Sequence, residues 1–67
     1  MKKEFIVPDM TCGHCVTTIT KTIQELVPDA VVTADTDTHW LTVEANQIEA
    51  QEIMMRLQAV GFNPQLA

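Results

Sequence analysis

The chain has 67 residues, is 46% hydrophobic, and carries nine acidic against four basic side chains for a net charge of −5. That length allows one small core and predicts one domain over residues 1–67, while the acidic balance excludes nucleic acid, whose phosphates would be repelled. Two cysteines three positions apart make no disulfide framework, and no segment approaches the ~18 apolar residues of a membrane span.

In chain order, residues 3–8 read as a strand ended by Pro8, which has no N–H for a ladder. Residues 9–13 form a loop. From Gly13 to Val27 the apolar residues Val16, Ile19, Ile23 and Leu26 are spaced 3, 4 and 3 apart, a single helical stripe, and Val27-Pro28-Asp29 is a stop. Ala30 to Asp35, with β-branched Val31, Val32 and Thr33, is a second strand, and Thr36-Asp37-Thr38 a turn. His39 to Ala45 alternates, with Leu41, Val43 and Ala45 on one face and Trp40, Thr42 and Glu44 on the other. Asn46 is placed to cap a second helix, with Glu49 completing a capping box. That helix is predicted to run to about Val60, with Ile53, Leu57 and Val60 facing the core and Gly61 as its C′ residue. Phe62 to Leu66 is a short last strand, put at an edge by Pro64.

The order βαββαβ predicts an α+β, ferredoxin-like fold: a four-stranded antiparallel sheet with both helices on one face. Strand directions then bring the loop after the first strand, the hairpin between the second and third, and the turn at Gly61-Phe62 to one end. Phe62 is expected beside the cysteines, and His39 at the same end but further across. Met1-Lys2-Lys3 leads into Glu4 and Val7-Pro8-Asp9 rather than an apolar leader, which predicts a cytoplasmic protein with reduced thiols.

The chemistry concentrates in Met10-Thr11-Cys12-Gly13-His14-Cys15, where strand gives way to helix. A thiol at a helix N-terminus meets unpaired N–H groups and the positive end of the macrodipole, both favouring the thiolate that binds metal or attacks a disulfide. Two sulfurs at this spacing can converge on one ion, and Gly13 between them is read as keeping the loop adaptable.

Phe5-x-Val7-x-x-Met10-Thr11-Cys12-x-x-Cys15, the βαββαβ order and Gly61-Phe62 together resemble the heavy-metal-associated domain family, which includes copper chaperones and N-terminal domains of metal-exporting P-type ATPases. The resemblance covers nearly the whole chain. It implies a non-enzymatic, cytosolic copper metallochaperone that binds Cu(I), or Ag(I), through Cys12 and Cys15 and passes it to the metal-binding domain of a copper-transporting P-type ATPase. The starting Met1 and the absence of a linker after Ala67 favour a free-standing protein over an excised pump domain. The chain departs from the family pattern at Asp9, where glycine is common, at Phe62, where chaperones often carry Tyr or Lys, and at Trp40 on a strand.

Two thiolates suit Cu(I), a soft ion that accepts low coordination numbers and leaves room for a partner's sulfur. The expected states are an apo monomer and a copper-bridged dimer. Zinc or mercury on the same fold is an alternative. Zinc prefers four ligands, His14 and His39 lack zinc-finger spacing, and Thr11 stands where zinc exporters present an acid, with Asp9 as the substitute. The second alternative is a thiol–disulfide redox protein, because Cys-Gly-His-Cys is also the motif of disulfide isomerases; the absence of a Trp before Cys12 and the short chain oppose it. His14 is read as a solvent-facing residue that tunes the thiols, Met10 as a core prop, Phe62 as an apolar lid, Trp40 as lying near Ile6 on the open sheet face, and His39 as a surface hairpin residue.

Overall fold

A computed structural model describes residues 1–67. The elements are β1 (Lys2–Ile6), α1 (Gly13–Leu26), β2 (Val31–Asp35), β3 (Trp40–Glu44), α2 (Ala50–Ala59) and β4 (Gln65–Leu66). They build one four-stranded antiparallel sheet in the order β2-β3-β1-β4. This is the βαββαβ arrangement expected from the sequence, with β4 on an edge.

Register explains the core. Phe5 faces Leu41, and Leu41 and Val43 face Ala34 and Val32 on β2. This sheet face packs on Ile19 and Ile23 of α1 and on Ile53 and Leu57 of α2 in one cluster, so both helices cover the same side. Nine side chains are completely buried, among them Phe5, Val7, Met10 and Leu41. On the open face Ile6 is paired with Trp40, as expected, and Trp40 is exposed.

Both ends of α2 differ from the expectation. Asn46 does not cap it. The helix starts at Ala50 with Glu49 as N-cap, which makes no side-chain capping bond. Packing overrides the capping box. Ile48 is buried and precedes the cap, and it joins Ile53 in the core cluster as a hydrophobic staple. At the other end the helix stops at Ala59, and Val60 is exposed rather than in the core. The Gly61 N–H bonds the Gln58 carbonyl (3.1 Å) and the Phe62 N–H bonds the Leu57 carbonyl (3.0 Å), with Gly61 at φ 99°. This is a Schellman closure, which needs the left-handed residue that glycine supplies. It swings Val60 outward and Phe62 inward against the core. The last strand is also shorter than expected, because the N–H of Asn63 is donated to a side chain and Pro64 has none to give.

Candidate metal centre

Cys12 is the N-cap of α1 and Cys15 the third helical residue. Side chains at these two positions face each other across the first turn, the same geometry that a capping box uses. The Sγ atoms are accordingly 3.1 Å apart. Cys12 is exposed and Cys15 half-buried, packed against the core cluster. The Cys12 carbonyl opens the helix by accepting the Val16 N–H at 3.2 Å.

A shared hydrogen bond with the Cys15 thiol holds the Cys12 thiol below its ordinary pKa, helped by the backbone N–H of Cys15, opposed by desolvation, and helped least by the backbone N–H of His14. Cys12 makes no side-chain capping bond of ordinary geometry. These N–H groups therefore act on the sulfur as oriented dipoles at the positive end of the helix.

The remaining residues singled out in the sequence separate clearly. Met10 is fully buried, a prop for the loop. His14 is exposed. Phe62 and Cys15 are each half-buried and each packs against the core cluster. Gly13 lies inside α1, and a Cβ added there meets nothing within 4 Å, so neither a tight turn nor a close approach demands glycine.

Asp9 is committed elsewhere. Its Oδ2 accepts the backbone N–H of Asn63 at 2.9 Å and the Asn63 Nδ2 at 3.0 Å, tying the loop to the approach to β4. His39 is a correction. It is half-buried rather than a surface hairpin residue, and its Nδ1 lies 3.1 Å from the Met10 carbonyl. It also falls in the turn rather than in β3, because its φ of 64° is incompatible with a strand. β3 is the direct neighbour of β1, so the hairpin tip sits against the loop instead of further across.

No three His, Cys, Asp or Glu side chains come together anywhere in the chain to hold an ion. The cysteine pair stands alone. A depression of about 460 Å³ lies at the far end of α1 between Met1, Leu26, Val27 and Ile48 and is lined by no cysteine or histidine. No helix is long and apolar enough to cross a membrane.

Comparison with known proteins meets this geometry. No curated protein matches the chain. Among solved structures, a gold-binding protein is 38% identical over 97% of this chain and 98% of its own, with a TM-score of 0.90. The protein Atu1203 from Agrobacterium tumefaciens is 35% identical over 97% and 100%, with a TM-score of 0.84. The copper chaperone Atx1 from Synechocystis is 19% identical over 92% and 97%, with a TM-score of 0.86, a likeness of fold. The heavy-metal-associated domain itself matches residues 4–62, from β1 through the cysteine loop to the turn that ends α2. A sheet-and-two-helix fold with a paired-cysteine loop, matched over that span, places the chain in the heavy-metal-associated domain family, a family of metal-binding domains and not of enzymes.

Proposed function

We propose that the chain is a cytoplasmic metallochaperone that carries one Cu(I) on the sulfurs of Cys12 and Cys15. It delivers the ion to the metal-binding domain of a copper-transporting P-type ATPase. The observation that carries this reading is the pair of sulfurs 3.1 Å apart at an exposed helix start. Two thiolates there meet the needs of a soft d¹⁰ ion content with few ligands. The absence of a third donor leaves a coordination position for an incoming sulfur. Ligand exchange then proceeds sulfur by sulfur, without free ion. Zinc, which takes four ligands in structural sites, is poorly served, and Asp9 is engaged with Asn63.

The gold-binding relative favours a second reading within the same chemistry, in which the cargo is another soft monovalent ion such as Au(I) or Ag(I). Anaerobic titration with Cu(I), Ag(I), Au(I) and Zn(II) against a chelator of known affinity separates these. One equivalent of Cu(I) is expected to bind. Cys12→Ser or Cys15→Ser leaves one soft ligand beside a hard hydroxyl, so affinity for Cu(I) is expected to collapse while the circular dichroism spectrum is retained. A Cys12→Ser variant that competes as well as wild type sinks the two-sulfur site. A protein that ignores Cu(I) but equilibrates its dithiol with glutathione is instead a redox protein.

A further inference from the structure

We propose that His39 is a positioning residue for the cysteine loop: its imidazole holds the Met10 carbonyl and thereby sets the approach of Cys12 to the ion. The inference rests on the reading of Cys12 and Cys15 as ligands. His39 is the sole non-glycine residue with positive φ, at 64°. Backbone in that region is uncommon outside glycine, and histidine is among the few side chains enriched there. The Asx turn before it, in which Asp35 Oδ1 accepts the N–H groups of Asp37 (2.9 Å) and Thr38 (3.4 Å), brings the chain to this position.

The left-handed turn aims both polar ends of His39 at the loop. Its carbonyl accepts the Val7 N–H at 2.8 Å, and its Nδ1 reaches the Met10 carbonyl at 3.1 Å across 29 residues of sequence. Between these two points the Met10 N–H bonds the Val7 carbonyl at 3.0 Å, closing a small turn. One residue therefore grips both ends of the segment that leads to Cys12. Glycine would satisfy the backbone at position 39 but not the second grip.

A carbonyl oxygen only accepts, so the hydrogen must sit on Nδ1. The Met10 side chain is anchored in the core and its carbonyl on His39. The peptide plane entering Thr11 is then held from both sides, one residue before Cys12, while Cys15 is carried by the helix. Pre-setting one ligand against the other removes ordering entropy from the binding step.

The test compares wild type with His39→Gly, which keeps the left-handed backbone and the carbonyl bond to Val7 while deleting the ring. The variant is expected to retain its circular dichroism spectrum, to exchange the Met10 amide hydrogen, which the Val7 carbonyl holds, about tenfold faster, and to lose about tenfold in Cu(I) affinity under chelator competition, the lower end of what orienting partners of metal ligands contribute. Unchanged exchange and affinity overturn the proposal. Wild-type protein supplies a readout independent of variant folding and of metal. Long-range ¹H–¹⁵N correlation is expected to show the His39 hydrogen on Nδ1, and a neutral ring protonated on Nε2 alone overturns the brace. If wild type binds no Cu(I), the metal reading fails, while the tautomer and exchange results still judge the brace.

Discussion

Cys12 occupies the N-cap of α1 without capping it. A serine or aspartate there would use its oxygen to satisfy the first N–H groups of the helix. The sulfur leaves them directed at whatever negative charge develops on the thiol, and the Cys15 thiol adds a hydrogen bond. The sign is definite: the pKa is lowered, so the thiolate is populated at lower pH than for an ordinary thiol. A depressed pKa of this kind favours the folded state above the unfolded thiol's pKa, and the effect fades as pH falls through the folded value. Because Cys12 is exposed, reactivity rather than stability is the measurement to make. Alkylation of Cys12 by iodoacetamide is expected to turn on at lower pH than that of a free cysteine. Cys15→Ala, which removes the largest cause, is expected to move that midpoint upward. Identical midpoints in the two proteins would discount the sulfur–sulfur hydrogen bond as the cause.

At the scale of elements, the two helices follow different rules at their starts. α1 begins on a chemical pair at the N-cap and third positions, whereas α2 begins on the Ile48–Ile53 staple with an unused cap at Glu49. Gly13, the first helical residue, has open space where a Cβ would go. Replacing it by alanine should leave the fold intact and reduce the freedom of the unfolded chain, stabilising the protein by about 0.4–1 kcal/mol. Urea denaturation of the apo protein checks this through a higher midpoint at constant slope. A lower midpoint would mean that the glycine serves a conformation other than the helical one seen here. The helical stripe of α1 was legible because Ile19 and Ile23 obey the 3.6 period to the end. The same extrapolation failed at Val60, where a left-handed glycine one residue later ended the period.

Across the whole molecule, charge and the shape of the site bear on the proposed handover. Lys2 and Glu4, 3.7 Å apart on β1, form the one ion pair, so the other eight acidic side chains stay unpaired on a surface of net charge −5. Docking to a basic partner is therefore expected to weaken as salt rises, since exposed charges are screened over about 10 Å at 0.1 M ionic strength. Transfer to a partner domain that is insensitive to salt would shift the steering to apolar contacts such as Phe62. A site with two sulfurs and an open position is also expected to recruit a second copy of the chain. Analytical ultracentrifugation should find an apo monomer and a Cu(I)-dependent dimer that glutathione suppresses by supplying the third sulfur. A copper-loaded protein that stays monomeric without added thiol would point to a closing ligand, with His14 the exposed donor nearest in sequence.

The sequence by itself determined the βαββαβ order, the edge position of β4, the burial of Met10 and the family, because apolar periodicity and Met10-Thr11-Cys12-x-x-Cys15 are local patterns that each element must obey to bury one face. Only the tertiary structure decided what holds the cysteine loop. Asp9 reads as a departure from a family glycine and His39 as a hairpin residue until β1 is seen between β3 and β4. That strand order puts residues 54 and 29 positions apart within hydrogen-bond reach, Asn63 on Asp9 and His39 on Met10. The Asp9 bond depends on a side-chain rotamer and the His39 bond on a rotamer and a left-handed φ, and neither leaves a periodic trace in the chain. The capping box at Asn46 failed for the related reason that burying Ile48 outweighs a surface cap worth about 1 kcal/mol.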